Sequence, residues 1–118
     1  MKTISAIVIA NNEEKMIKEC LVSLSFCNEI VVIDNGSEDK TLEIAEKMGT
    51  RVFDFRTDDF SKLRNYGLEK AHGEWVLYVD ADERVPLRLK EEIKSKILED
   101  SSFDAYKIKR KNFYFGDY

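Results

Sequence analysis

Short, unbroken apolar runs alternate with segments of helical spacing, and this alternation constrains the chain more than any other feature. ISAIVIA (residues 4–10) has almost no polar position, and EIVVID (29–34) and WVLYV (75–79) repeat the pattern. A strand without polar alternation is covered on both faces, as strands of parallel sheets are. Between the runs, apolar residues fall at helical spacing. Residues 13–25 carry Met16, Ile17, Cys20, Leu21 and Leu24 on one face. After the Asn35-Gly36-Ser37 turn, Ser37 or Asp39 is the expected N-cap of a helix that runs to Met48 and stops at Gly49. Residues 51–55 read as a third strand and 59–71 as a third helix closed by Gly73. Gly67 inside that helix lowers helix propensity and hints at close backbone packing. Pro86 suits the first turn of a fourth helix, with Leu89, Ile93 and Ile97 on one face. Residues 104–110 alternate and read as a fifth, edge-like strand.

Strands alternating with helices predict an α/β fold: three layers, a mainly parallel sheet, helices on both faces. A length of 118 residues suits one domain, residues 1–118. The net charge of −4 argues against general nucleic-acid binding. No apolar run approaches a membrane span, and the N-terminus lacks a signal-peptide pattern. The expected location is cytoplasmic, with the inner face of a membrane as a further option. The two cysteines make no disulfide framework, and with a single histidine they make no standard zinc site. Cys20 is expected as a buried thiol.

Open parallel sheets bind ligands at the carboxyl ends of their strands. The polar residues gather at those ends: Asn11, Asn12 and Glu13 after the first strand, Asp34 after the second, Asp80 and Asp82 after the fourth. The fourth strand runs into Asp80, Asp82 and Glu83, and such crowded acids repel one another. A divalent cation shared by two carboxylates would relieve that repulsion, tie down a diphosphate and stabilise a departing phosphate. The plainer reading is that Asp82 or Glu83 leads into the next helix, whose N-terminus favours acids. Asp34 is either a turn residue or an acceptor for a base N–H or ribose hydroxyl. Arg64 is either a surface residue or a guanidinium reaching a phosphate or base. His72 is assigned no chemistry. The basic stretch KIKRK (107–111) is the solvated side of an edge strand or, less simply, a contact for an anionic surface.

The stretches VIANNEE, VVIDNGSEDKT and LRNYGLEKAHGEWVLYVDADE resemble family 2 glycosyltransferases of the GT-A fold, a Rossmann-like nucleotide-binding architecture. More narrowly they resemble the branch that includes lipopolysaccharide-core β-glucosyltransferases. The resemblance covers nearly the whole chain. It implies that Asn12, Glu13 and Asp34 line a nucleoside pocket, that Arg64 sits near the nucleotide, and that Asp80 approaches ribose or phosphates. Asp82 would be the main ligand of a magnesium or manganese ion, with Asp80 beside it. One departure is Asn11, where the family often carries an aromatic or basic residue, which puts base stacking there in doubt. A second is that members continue into an acceptor-binding half that supplies the catalytic base, so no base is nominated among these residues.

The resulting expectation is the nucleotide-sugar-binding part of a metal-dependent glycosyltransferase acting on a glycan or lipid-linked acceptor. By itself it should transfer no sugar. Two alternatives stay open at this point: a phospho-receiver domain using Asp54, and a binding or assembly module without chemistry. The aromatics Phe113, Tyr114, Phe115 and Tyr118 suggest self-association through the C-terminal segment as a homodimer.

Overall fold

The computed structural model describes residues 3–99 and 111–115. Its elements follow the order β1 (Ile4–Ala10), α1 (Ile17–Ser23), β2 (Glu29–Asp34), α2 (Thr41–Lys47), β3 (Arg51–Asp54), α3 (Phe60–Lys70), β4 (Trp75–Asp80), α4 (Leu87–Glu99) and β5 (Lys111–Phe115). The five strands form one sheet in the order β3-β2-β1-β4-β5. Every pair in it is parallel. The expected α/β architecture is therefore present.

Side chains alternate across the sheet and build two cores. Ala6 and Val8 of β1 and Leu77 and Val79 of β4 meet α1, α2 and α4 through Ile17, Leu21, Ala45, Ile93 and Ile97. Ile7, Ile9, Val31, Ile33 and Tyr78 face the other way and meet Leu63 of α3. All seven residues of β1 are buried, which is why its sequence shows no polar alternation. Each large aliphatic side chain buried this way contributes about 1.5–3 kcal/mol relative to exposure.

Gly67 is where α3 comes closest to the sheet. A Cβ there would lie 2.5 Å from Ile7 Cγ2. The close packing expected from its place in a helix is thus found. Ring contacts also tie α3 to β3: Tyr66 stacks on Phe55 at 4.4 Å and meets Phe53 edge-on at 6.0 Å.

Several boundaries differ from the sequence reading. Helix α1 begins at Ile17 rather than at residue 13, after a turn in which the Glu13 carbonyl accepts the Met16 and Ile17 N–H groups while the Glu13 and Glu14 N–H groups donate to Thr41 Oγ1 and Asp39 Oδ2. The residue flanking the start of α2 is Lys40, not Ser37 or Asp39. Asp39 still caps in effect, since its carboxylate accepts the Thr41 N–H at 2.9 Å. Pro86 stands just ahead of α4, and its carbonyl accepts the Lys90 N–H. Residues 104–110, read as an edge strand, lie outside the described residues. The strand beside β4 is Lys111–Phe115, in the register Trp75 with Lys111 to Val79 with Phe115.

Candidate functional site: a nucleotide and cation rim

Strand register decides which polar residues meet. Ala10 at the end of β1 pairs with Asp34 on one side, and Ile9 pairs with Asp80 on the other. Asp34 and Asp80 thus end the two strands that flank β1, about 10 Å apart at the usual strand spacing. The loop leaving β1 lies between them and carries Asn12 and Glu13.

On the Asp34 side two loops are bonded together. Asp34 is 2% exposed. Its carboxylate accepts the Ser37 hydroxyl at 2.5 Å and the Ser37 N–H at 3.2 Å. The Asn11 side-chain amide donates to the Asn35 carbonyl. Asn35 in turn exchanges two 3.0 Å bonds with the Thr57 backbone, tying this loop to the end of β3. Asn12 has φ 53°, a left-handed conformation that asparagine tolerates better than most residues. Its N–H donates to Ser37 Oγ at 2.9 Å, and its side-chain oxygen accepts the Glu38 N–H at 2.7 Å.

On the β4 side the chain turns tightly, with the Glu83 N–H donating to the Asp80 carbonyl at 2.9 Å. That turn folds Glu83 back, so that carboxylate oxygens of Asp80, Asp82 and Glu83 all lie within 4.8 Å of one another. Glu83, one of the crowded acids in the sequence but not among the residues expected to hold the cation, completes this group. The signal was there in three acids within four residues. A hollow of about 560 Å³ opens beside Asp82 and Glu83.

Glu13 feels this group from across the rim. Partial burial, then the negative charges of Asp82, Asp39 and Asp80, push its carboxyl above the ordinary range. Beneath it, Cys20 is fully buried and its thiol donates to the Asp80 carbonyl at 3.6 Å. Burial first, then the charges of Asp82, Asp80, Glu83 and Glu13, push that thiol up to about 12. The expected buried thiol is thus present.

Arg64 lies on α3 with its guanidinium carbon 5.7 Å from the Tyr78 ring centroid. Tyr78 precedes Asp80 by two residues, so both side chains leave the same face of β4. Asn12, Glu13, Asp34, Arg64, Asp80 and Asp82 are thus all carried to one end of the sheet. Asp54, the residue a phospho-receiver reading would need, sits on the edge strand β3. It is exposed and paired with Arg56 at 3.4 Å.

An all-oxygen set of carboxylates suits a hard divalent cation such as magnesium or manganese. Placed at the carboxyl end of a parallel sheet, it stands where proteins of the open α/β class bind their ligands. Within that class the chain belongs to glycosyl transferase family 2, whose model matches residues 5–114.

The similarity extends to individual proteins. The chain is 26% identical over 118 residues to the lipopolysaccharide core biosynthesis glycosyltransferase LpsC of Rhizobium meliloti, covering 96% of this chain and 44% of that protein. Among solved structures, TarS of S. aureus superposes with a TM-score of 0.72 at 35% identity, over 84% of this chain and 33% of that one. Glucosyl-3-phosphoglycerate synthase of Mycobacterium tuberculosis, solved with Mn2+, uridine diphosphate and glucosyl-3-phosphoglycerate, superposes with a TM-score of 0.62 at 26% identity. It is matched over 70% of this chain and 36% of its own. The GT-A architecture expected from the sequence is the one these neighbours share. The chain spans between a fifth and less than half of the length of these curated relatives.

Proposed function

We propose that this chain binds a nucleotide diphosphate sugar with a divalent cation, as the donor-binding part of a glycosyltransferase. The observation that carries the reading is the Asp80, Asp82 and Glu83 carboxylate group at the end of β4, one strand away from Asp34. The manganese and uridine diphosphate held by the mycobacterial neighbour support the same assignment.

In this reading Asp82 is the chief metal ligand and Asp80 stands beside it, near ribose or phosphates. When bound, the cation neutralises the diphosphate and stabilises its charge as the sugar bond breaks. Asp34, Asn12 and Glu13 line the nucleoside pocket. Arg64, held over Tyr78, brings a fixed positive charge to the same end of β4 and opposes the negative charge of the departing diphosphate. Sugar transfer to a glycan or lipid-linked hydroxyl is proposed for the whole enzyme. We assign no catalytic base to the residues of this chain.

Calorimetric titration with uridine diphosphate, with and without manganese, tests the reading. The expected result is binding in roughly the micromolar-to-millimolar range that strengthens when manganese is added. No heat of binding under either condition sinks it. The phospho-receiver alternative is not favoured, because the family assignment covers the strand that carries Asp54 and leaves the acidic group of β4 with a role.

A further inference from the structure

We propose that the hydroxyls of Ser37 and Thr41 are positioning groups that lock the loop of residues 11–14 in its nucleotide-binding shape. The inference rests on the nucleotide reading of this rim. Neither residue stood out in the sequence as a site residue.

Each hydroxyl gives one hydrogen bond and takes another. Ser37 Oγ donates to Asp34 Oδ1 at 2.5 Å and accepts the Asn12 N–H at 2.9 Å. Thr41 Oγ1 donates to Asp39 Oδ1 and accepts the Glu13 N–H at 2.8 Å. Thr41 is fully buried, so its hydroxyl has no water to turn to. Carboxylate, hydroxyl and amide thus form two parallel relays, Asp34 to Ser37 to Asn12 and Asp39 to Thr41 to Glu13.

The relays matter because they hold two consecutive backbone N–H groups of the loop, alongside the bonds of Asn11 to Asn35, Asn12 to Glu38 and Glu14 to Asp39. Asn12 is left-handed and Glu13 and Glu14 precede the first turn of α1. Without the two hydroxyls the N–H groups of Asn12 and Glu13 would have only water as partner. A hydroxyl is the side-chain group that can donate and accept at the same time at this size. Valine in place of Thr41 keeps the volume and loses both bonds. The first relay also fixes one oxygen of Asp34, leaving the orientation of that carboxylate dependent on the same serine.

The test uses four variants of the chain: Ser37→Ala, Thr41→Val, Ser37→Thr and Thr41→Ser. Binding of uridine diphosphate is measured by calorimetry, and amide hydrogen exchange is followed at residues 12–14 and in β1. Ser37→Ala and Thr41→Val should each weaken binding roughly five- to tenfold, the loss expected for hydrogen bonds to a loop that must then be ordered by the ligand. Amides 12–14 should lose protection while those of Ile7 and Val8 keep it. The conservative variants Ser37→Thr and Thr41→Ser should stay within about twofold of the parent, since the hydroxyl is retained. Manganese binding without nucleotide should also stay within about twofold, because the acidic group hangs from β4. Parent-like affinity in the Ala and Val variants, or equal loss of protection in β1 and in the loop, overturns the proposal. If the parent binds no uridine diphosphate, the nucleotide reading itself fails. The lock is then decided by exchange alone: lost protection confined to 12–14 upholds it and retained protection overturns it.

Discussion

Gly67 on α3 and Ile7 on β1 approach so closely that a Cβ at residue 67 would lie 2.5 Å from Ile7 Cγ2. No staggered side chain can occupy that space, so either Ile7 leaves its rotamer or α3 lifts from the sheet. Gly67→Ala should therefore cost about 1–3 kcal/mol of stability, the usual price of overpacking a core. Because α3 carries Arg64, the same variant should also weaken nucleotide binding. Urea denaturation gives the first number, and an unchanged midpoint contradicts the close contact.

Asp82 is exposed, and its carboxylate closes the acidic group without supporting the core. Asp82→Ala should abolish the manganese-dependent part of nucleotide binding and leave the melting temperature within about 2 °C, as surface changes usually do. Calorimetry showing the variant binding manganese and nucleotide like the parent rules out Asp82 as chief ligand.

Asp34 lies on the opposite side of β1 and should act on the nucleoside, not on the cation. Asp34→Ala should weaken binding of uridine alone, measured without metal. It should also cost stability, about 1–3 kcal/mol, because the half-buried Ser37 hydroxyl and N–H lose their acceptor. A variant that is destabilised yet binds uridine normally assigns Asp34 to the turn alone.

The buried thiol of Cys20 and the half-buried thiol of Cys27 set the alkaline limit. Burial pushes Cys20 and Cys27 from the ordinary 9.0 up to about 12, with nearby carboxylates adding to the effect at Cys20. Above pH 9 the unfolded chain releases these protons while the folded chain keeps them. The stability they contribute is present below that pH and is lost as pH climbs toward 12. The slope in this window is about 1.4 kcal/mol per pH unit for each thiol. Denaturation at pH 8 and pH 10.5 should show the decline, and a Cys20→Ala, Cys27→Ala double variant should flatten it. An equal slope in that variant assigns the decline to other groups.

Strand β5 lies at the edge of the sheet, paired only with β4 among the described residues. An edge strand presents unpaired N–H and C=O groups to a second chain. A symmetric dimer through this segment is the expected state at high concentration. Light scattering that shows a monodisperse monomer contradicts it.

Local periodicity carries much of this protein. The apolar runs of β1, β2 and β4 show in the sequence because both their faces are covered, and a covered face leaves no room for alternation. Cys20 and Leu21 fall on the buried side of α1 for the same local reason, and Gly67 within α3 hints at close packing without naming its partner. The acids at the ends of β2 and β4 could also be placed at one rim, because parallel strands share a direction.

Tertiary structure alone decided how that rim is assembled. The order β3-β2-β1-β4-β5 puts Asp34 and Asp80 on either side of one strand, and nothing in their spacing along the chain requires it. The turn after β4 returns Glu83 to Asp80 and Asp82. The N–H groups of Glu13 and Glu14, ahead of α1, find their acceptors in Thr41 and Asp39, 28 and 25 residues further along. Ser37 and Thr41 look in sequence like ordinary turn and helix-start residues, since a hydroxyl's partners across the fold leave no mark on its neighbours. A side chain's period along a strand or helix is a local property of the backbone. Its hydrogen-bond partner in another loop exists only once the whole chain has folded.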